Sequence, residues 1–396
     1  MAASTEMTSK AAGLREARQE AGRIRVVLRD GHALLFPAIW LRDNCLCPLC
    51  VSPGNGQRLV DTVALPERPT AERLLAAGDT LTIVWAPDAH ESRYSVAWLA
   101  AHAFDEARRM GRHPDPVLWG PEIARNLPKA DWSAVESQPA EERTLLDSFL
   151  RYGFAILSGV PTESGMVTRV GDRIGHVRVT NYGRWFEVKS VPNPNNLAYT
   201  GLGLGVHTDN PYRDPTPGVQ LLHCLECEAP GGDSILVDGF RAAADFRNED
   251  PDGFALLARI AQDYRFADRE ADLRARTPVI GTDADGRVIG IHFNNRSKAP
   301  LDAPLELVEP WYRAYRRFAT LMGDPARALM LRLEPGDLLM MANQRTLHGR
   351  TAFDPSLGRR HLQGCYVDMD GVESRHRVLE RDSHAELRVE SRGAAA

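Results

Sequence analysis

The segment TGLGLGVHTDN, residues 200–210, decides the fold, because it places His207 and Asp209 one residue apart. Alternate residues of an extended strand point to the same side, so the two side chains are expected to face one way. The glycines before His207 allow a loop to pass close to a bound ligand. The segment therefore predicts two metal ligands at the end of a strand in a β-rich fold.

A third ligand candidate, His348, lies in the phrase LHGR, 139 residues after Asp209. Two histidines and one carboxylate leave open positions on a metal, the arrangement of non-haem Fe(II) oxygenases. Arg360 follows His348 by twelve residues, the length of a hairpin, and GGDS (231–234) supplies Ser234. A guanidinium and a hydroxyl together form a suitable clamp for a carboxylate.

A cysteine cluster lies near the N-terminus, in WLRDNCLCPLC (40–50). Cys45, Cys47 and Cys50 are soft thiolate donors, and a closed tetrahedral site needs a fourth ligand, for which His90 is the candidate. Four protein ligands leave no open position, so such a zinc site is expected to be structural. The alternative is a set of reduced, partly buried thiols.

The pattern of apolar residues indicates a mostly β protein with helices (α+β). Many short strands around a few helices are typical of a double-sheet jelly roll, here with a small β-rich domain before it. Helices are predicted at 139–152, about 252–262 and about 307–322. The predicted organisation is a disordered tail (1–20), a zinc-binding domain (21–110), a linker (111–135), the jelly roll (136–385) and a second tail (386–396).

Composition and charge exclude several classes of function. The formal net charge is -5, with 48 basic and 53 acidic residues, so no basic excess points to nucleic acid or to an anionic membrane. No apolar run approaches the ~20 residues that span a bilayer. The first twenty residues lack an apolar signal core and contain acidic residues. We therefore expect a cytoplasmic protein with no nucleic-acid or membrane partner.

These motifs, in this order, resemble the γ-butyrobetaine and trimethyllysine hydroxylase family, within the taurine-dioxygenase-like superfamily of Fe(II)/2-oxoglutarate dioxygenases. WLRDNC-x-C-x2-C is similar to the family's amino-terminal zinc domain. PGVQLLHC, GGDS, VDGF and the ending YVDMDGVESRHRVL are similar to its catalytic domain. The resemblance covers roughly residues 25 to 380.

The resemblance implies a cofactor set of Fe(II), structural zinc, and 2-oxoglutarate and O2 as co-substrates. It implies three catalytic iron ligands: His207, Asp209 and His348. It implies two residues for the far carboxylate of 2-oxoglutarate: Arg360 and Ser234. It implies four zinc ligands: Cys45, Cys47, Cys50 and His90. Relatives tend to form homodimers, and the resemblance implies the same here.

A quaternary ammonium cannot donate hydrogen bonds, so aromatic faces recognise it best. The candidate aromatic residues are Tyr182, Trp185, Phe186, Tyr199 and Tyr366. Phe186 departs from the family, whose butyrobetaine enzymes place tryptophan there. The candidates for the acidic end of the substrate are Asn196, Asn294, Asn295 and Arg296.

The leading prediction is hydroxylation of γ-butyrobetaine to L-carnitine. The alternatives are a trimethylammonio-alkylphosphonate such as 2-trimethylaminoethylphosphonate, which Arg296 favours, and trimethyllysine. A metal-stabilised binding module without turnover would lack one or more of the iron ligands, and the complete set in this sequence argues against it. A zinc-dependent adaptor would need a basic face. A sulfonate oxygenase would need no aromatic residues around its substrate.

Overall fold

A computed structural model describes residues 13–106, 116–189 and 201–393, the last eleven of these by their backbone only. It divides the chain into two compact units, Met1–Asp115 and Pro116–Ala396. Within the described residues, every helix is too short or too polar to cross a bilayer.

The first unit contains two three-stranded antiparallel sheets, in the orders β1-β2-β3 and β4-β5-β6. Its strands are β1 Leu14–Glu20, β2 Arg23–Leu28, β3 Ala33–Pro37, β4 Thr70–Ala77, β5 Thr80–Ala86 and β6 His90–Ser95. Its helices are α1 Ala38–Asp43, α2 Val96–Ala101 and a 3-10 turn at Thr62–Ala64. A core that includes Ile24, Phe36, Trp85 and Tyr94 holds the two sheets together. The small β-rich unit predicted from the sequence is therefore present.

The disordered tail predicted for residues 1–20 is wrong for its last part, because Leu14–Glu20 forms β1. The segment is LREARQE, and most of its side chains are exposed or half-buried. Its order comes from backbone pairing with β2, in registers such as Ala17 with Val26. A polar strand that is held by its neighbour lacks the apolar alternation by which strands are predicted.

The second unit is built on two sheets. Its strands are β7 Lys129–Asp131, β8 Phe154–Ser158, β9 Val177–Arg178, β10 Phe186–Lys189, β11 Leu204–His207, β12 Val219–Cys227, β13 Ser234–Asp238, β14 Ala261–Ala267, β15 Asp272–Pro278, β16 Ile280–Thr282, β17 Val288–Ile291, β18 Leu329–Leu331, β19 Leu338–Ala342, β20 Thr346–Arg350 and β21 Arg360–Val367. The larger sheet has the order β10-β21-β12-β19-β8-β7, with β9 on β21, and the smaller has the order β11-β20-β13-β18. Two hairpins, β14-β15 and β16-β17, complete the β structure of this unit in the described residues.

Helices cover the outer faces of both sheets. They are α3 Trp132–Ser137, α4 Pro139–Tyr152, α5 Met166–Ile174, α6 Gly239–Glu249, α7 Pro251–Arg259, α8 Leu305–Met322 and α9 Met369–Gly393, with 3-10 turns at Pro121–Arg125, Pro325–Arg327 and Pro355–Leu357. Side chains of α4 and α5 pack on the larger sheet, and those of α6, α7 and α8 pack on the smaller. The predicted α+β class is confirmed, and two facing sheets between helices are the architecture of a jelly roll.

The alternation of side chains along β19 shows how the layers are made. Leu338 and Met340 pack toward α4 and α5, in the outer core. Leu339 and Met341 point the other way, into a core that they share with Leu236 of β13 in the smaller sheet. Successive strand residues face opposite sides, and both faces are covered, so the strand is apolar throughout.

The linker predicted for residues 111–135 is wrong over its described part. Trp119 and Trp132 are buried in two different cores, and β7 pairs in parallel with β8. The three predicted helices are confirmed as α4, α7 and α8. The boundary predicted at residue 385 falls inside α9, which continues to Gly393.

Candidate active site

The three predicted iron ligands lie together on the neighbouring strands β11 and β20 of the smaller sheet and just after β11. His207 of β11 and His348 of β20 are opposed in register, and their ring centroids are 4.4 Å apart. Asp209 follows β11, with its Oδ1 3.4 Å from Nε2 of His207 and 4.0 Å from Nε2 of His348. All three donor atoms lie within 4.8 Å of one another. One metal ion can therefore contact all three side chains.

The protonation states of these residues suit metal binding. Nδ1 of His207 donates to the carbonyl of Gly205 at 2.9 Å, which leaves the lone pair of Nε2 for a metal. Burial and the neighbouring His207 lower the pKa of His348 to about 3, so its imidazole is neutral. Burial acts to raise the pKa of Asp209, but the neighbouring His207 and His348 and the hydrogen bond from Tyr366 hold that pKa well below its usual range.

A cavity of about 370 Å³ lies above the ligands, between the two sheets. It is lined by the three ligands and by Tyr182, Phe186, Val188, Leu204, Asn210, Tyr212, Gln220, Leu222, Ser234, Arg265, Phe266, Asn294, Arg296, Ser297, Gly349, Arg350, Arg360, Leu362 and Tyr366. This volume is in the range of small-molecule sites.

One wall of the cavity is aromatic. The ring of Phe186 lies 5.3 Å from that of Tyr366 and 6.1 Å from that of Tyr182. Phe266 extends the wall, 5.9 Å from Tyr182 and 5.2 Å from Tyr212. We call these five rings the aromatic wall. The hydroxyls of Tyr182 and Tyr212 are 3.0 Å apart, and that of Tyr212 donates to Oδ1 of Asn210 at 2.6 Å, so both rings are held in place.

Arginine side chains give part of the cavity lining a positive charge. Arg360 begins β21, is buried, and donates to the carbonyl of Gly232 at 2.9 Å. Arg350 lies two residues after His348 and is in register with Ser234 of β13. Both guanidinium groups lie beside the ring of Phe353, at 5.4 and 5.3 Å from its centroid. Burial, then Arg360 and Arg296, lower the pKa of Arg350 to about 10, which leaves it charged at neutral pH.

Two predicted substrate residues, Trp185 and Asn295, lie outside the cavity lining. Trp185 is 40% exposed and lies outside the cavity lining, because it precedes β10 and Phe186 takes the inward position. Asn295 is exposed and accepts a hydrogen bond from the hydroxyl of Tyr315 at 2.7 Å. Asn196 and Tyr199 lie outside the described residues.

Asn294 and Arg296 do line the cavity. Asn294 is buried, donates from Nδ2 to the carbonyl of Thr208 at 3.1 Å, and accepts from the backbone N–H of Arg296 at 3.0 Å. Its amide therefore supports the loop between His207 and Asp209. Arg296 is exposed at the rim of the cavity.

The predicted zinc ligands also come together, in the first unit. Nε2 of His90 lies 3.3, 3.6 and 3.5 Å from the sulfurs of Cys45, Cys47 and Cys50. Bond lengths of about 2.3 Å to sulfur and 2.0–2.1 Å to nitrogen give a tetrahedral edge of about 3.5 Å. Arg42 lies 3.7 Å from the sulfur of Cys50, where its charge offsets that of the thiolates. The geometry therefore fits a four-ligand metal site with His90 as the fourth ligand.

The cavity lining also includes residues that the sequence did not predict, among them Arg350, Gln220, Tyr212 and Phe266. A signal existed for Arg350, which follows His348 by two residues on one strand and so shares its face. Gln220 alternates with the apolar residues of β12 in the same way. Phe266 had no such signal, because its hairpin reaches the cavity only through tertiary folding.

Comparison with known proteins agrees with this site. Residues 111–366 match the model of the taurine catabolism dioxygenase TauD, TfdA family, and residues 15–100 match the gamma-butyrobetaine hydroxylase-like N-terminal domain. A gamma-butyrobetaine dioxygenase of Pseudomonas sp. strain AK-1 is 38% identical over 367 residues, which cover 91% of this chain and 94% of the relative.

Two further relatives extend the comparison to vertebrates. The human gamma-butyrobetaine dioxygenase is 32% identical over 376 residues, covering 92% of this chain and 96% of the relative. A mitochondrial trimethyllysine dioxygenase of Gallus gallus is 33% identical over 363 residues, covering 89% and 85%. The matched segments include all seven metal-ligand candidates and the whole described cavity, and the chain is therefore an enzyme of the TauD/TfdA dioxygenase family.

Proposed function

We propose that this dioxygenase uses Fe(II), 2-oxoglutarate and O2 to hydroxylate a small trimethylammonium acid, with γ-butyrobetaine as substrate and L-carnitine as product. The observation that carries the proposal is the aromatic wall beside the metal ligands. Among the described residues that line the cavity, Asp209 is the only acidic one, and it belongs to the metal site. A substrate cation must therefore bind to ring faces, which suits a quaternary ammonium.

The donor set favours Fe(II). Two imidazoles and one carboxylate on one side of a metal leave the other side open for a co-substrate. When bound, Fe(II) supplies the centre at which O2 and 2-oxoglutarate react and from which a C–H bond is hydroxylated. His207, Asp209 and His348 hold the ion, and the surrounding cavity orients the substrate carbon and limits the access of water.

The arginines support 2-oxoglutarate as co-substrate. The far carboxylate of this diacid needs a buried partner of opposite charge, and Arg360 is a buried guanidinium in the cavity that holds the metal ligands. Ser234 lines the same cavity and offers a hydroxyl. Arg350, in register with Ser234, adds a second positive charge to this end.

The acidic end of the substrate distinguishes two candidates. Arg296 at the rim suits a carboxylate, and it also suits a phosphonate, which carries more negative charge. The names of the relatives favour γ-butyrobetaine, and Arg296 keeps 2-trimethylaminoethylphosphonate as a second candidate. Trimethyllysine carries an additional ammonium group, which needs an acidic partner. The sole acid in the described lining is the metal ligand Asp209, so the cavity favours trimethyllysine least of the three compounds.

The experiment is a succinate assay on the Fe(II)-loaded protein with γ-butyrobetaine, the phosphonate and trimethyllysine in parallel. We expect one succinate for each hydroxylated product with γ-butyrobetaine. Turnover only with the phosphonate would retain the iron chemistry and change the substrate. Succinate formation that none of the three compounds stimulates would reject the trimethylammonium proposal.

We also propose that Cys45, Cys47, Cys50 and His90 bind zinc. The support is the match between the nitrogen–sulfur distances in the structure and a tetrahedral edge. Metal analysis of the purified protein tests this proposal, with about one zinc per chain expected. A homodimer stays a prediction from the family resemblance, and a cytoplasmic location stays a prediction from the sequence. Light scattering after size-exclusion chromatography tests the first.

A further inference from the structure

We propose that Gln220 and Tyr366 are positioning residues that keep Asp209 bound to the metal through one oxygen only. The inference rests on the proposed iron site. It assigns to Gln220 a role that its sequence context did not suggest, and to the hydroxyl of Tyr366 a role apart from the aromatic wall.

The two oxygens of Asp209 have different surroundings. Oδ1 faces Nε2 of His207 and Nε2 of His348, at 3.4 and 4.0 Å. Oδ2 accepts two hydrogen bonds, from Nε2 of Gln220 at 2.6 Å and from the hydroxyl of Tyr366 at 2.8 Å. A carboxylate oxygen that already accepts two hydrogen bonds is a poorer metal ligand than its free partner.

The backbone of Asp209 is fixed separately. Its N–H donates to Oδ1 of Asn343 at 2.7 Å, and Nδ2 of Asn343 donates to its carbonyl at 2.9 Å. Asn343 is fully buried and also donates to the carbonyl of Pro217. With the backbone held, only the side-chain torsions of Asp209 remain to be set, and the two bonds to Oδ2 set them.

The donors are themselves rigid. Gln220 of β12 and Tyr366 of β21 are directly opposed in register, in the centre of the larger sheet. Both are almost completely buried, at 2% and 3% exposure. The larger sheet therefore supplies both donors, while the smaller sheet supplies the two histidines, and Asp209 is held between them.

This arrangement matters because Asp209 has two ways to bind a metal. A carboxylate that binds through both oxygens occupies a coordination position that the keto acid or O2 needs. Holding Oδ2 by two hydrogen bonds keeps that position open. Outer contacts of this kind typically change metal affinity by about 10–100-fold when they are removed.

The test uses the variants Gln220→Met and Tyr366→Phe, each of which removes one donor and keeps the shape of the side chain. Anaerobic titration with Co(II) gives the metal affinity, and the visible spectrum of bound Co(II) reports its coordination. Titration of the Fe(II) protein with 2-oxoglutarate gives the charge-transfer absorption of the chelated keto acid. Tyr182→Phe is the matched control, because it removes a hydroxyl that contacts Tyr212 in the same cavity.

We expect a Co(II) dissociation constant about 10–100-fold higher in each variant, a changed Co(II) spectrum and weaker chelation of 2-oxoglutarate. Tyr182→Phe is expected to bind Co(II) as the wild type does. Equal affinities and identical spectra in the wild type and both variants would overturn the positioning role and leave the iron proposal intact. A wild-type protein that binds neither Co(II) nor, with Fe(II), 2-oxoglutarate would instead reject the proposed function. Circular dichroism of each metal-free variant tests whether that variant folds. If one variant does not fold, the other alone is sufficient to test the positioning role.

Discussion

Phe186 and Gly364 are directly opposed on β10 and β21, and the ring of Phe186 lies over the glycine. A Cβ atom on Gly364 would lie 2.5 Å from Cζ of that ring. The aromatic wall therefore depends on the absence of a side chain at residue 364, two residues before Tyr366 on the same strand.

The variant Gly364→Ala is expected to displace Phe186 and to weaken substrate binding. A cation–π contact of about 0.5–2 kcal/mol corresponds to a rise in the KM for γ-butyrobetaine of about 2- to 30-fold. The KM for 2-oxoglutarate should not change, because Arg360 and Ser234 are untouched. Gly54→Ala is the control, since a Cβ there meets no atom within 4 Å. An unchanged KM for the substrate would show that Phe186 does not contact it.

His207→Ala is expected to abolish turnover and to retain the fold. The substitution removes one of three metal ligands, so iron content and succinate formation should both be lost, while cooperative thermal unfolding remains. His32→Ala is the control, because the His32 side chain is 68% exposed and lies in the first unit. Full activity of His207→Ala would make the metal assignment wrong.

Arg360→Lys is expected to raise the KM for 2-oxoglutarate. A lysine cannot reproduce the two-point contact of a guanidinium with a carboxylate, and a hydrogen bond to a charged group contributes about 1.5–3 kcal/mol. The expected rise is about 10- to 150-fold. The adjacent Arg359→Lys is the matched control, because its side chain is 72% exposed and pairs with Glu226 and Glu228 at the surface. Similar effects of both substitutions would exclude a specific role for Arg360.

Cys47→Ser is expected to remove zinc and to destabilise the first unit before it affects the iron chemistry. Burial and the neighbouring Cys45 raise the pKa of Cys50 to about 11, so this thiol is protonated at neutral pH without metal and loses its proton when zinc binds. Zinc affinity should therefore fall as the pH is lowered. Metal analysis and thermal unfolding measure both effects. Cys227→Ser should keep its zinc, and a Cys47→Ser protein with full zinc content would contradict the assignment.

Asp238→Asn is expected to destabilise the second unit by about 3–5 kcal/mol, because it leaves a buried charge without its partner. Asp238 and Arg345 form an ion pair at 3.2 Å whose side chains are 0% and 6% exposed. Denaturant unfolding measures the loss. Glu373→Gln breaks an exposed pair with Arg377 and should change stability by less than about 0.5 kcal/mol. Equal effects of the two substitutions would show that burial of the Asp238–Arg345 pair does not affect the free energy of unfolding.

The sequence predicts those helices and strands that form because of residues close to one another along the chain. The sequence predicts the helix α4 because Leu145, Leu146, Phe149 and Leu150 fall at helical spacing and Gly153 follows as a stop. In the structure Gly153 ends the helix with a positive φ. The strand β1 was missed because its order comes from pairing with β2. The sequence does not predict an ordered segment around Trp119, because that segment is polar. Its order depends on the buried indole of Trp119, which donates a hydrogen bond to the carbonyl of Tyr152.

The metal ligands were predictable because few residue types can bind a metal and their spacing is restricted. The aromatic wall was predicted only in part, since aromatic residues are common in any core. Trp185 was assigned to the cavity because it adjoins Phe186 in sequence, but it lies exposed, outside the lining. Phe266 joins the wall from a hairpin 80 residues after Phe186, and no local pattern indicates such a contact.

The opposed positions of His207 and His348 on neighbouring strands have a consequence for the order in which the protein binds its metals. Iron cannot be bound until residues 141 positions apart have met, so loading must follow the closure of the smaller sheet. The three cysteines lie within six residues, and an unfolded chain can already hold zinc through them. During synthesis the proposed zinc can be acquired while the first unit emerges, and iron only after β20 has been made.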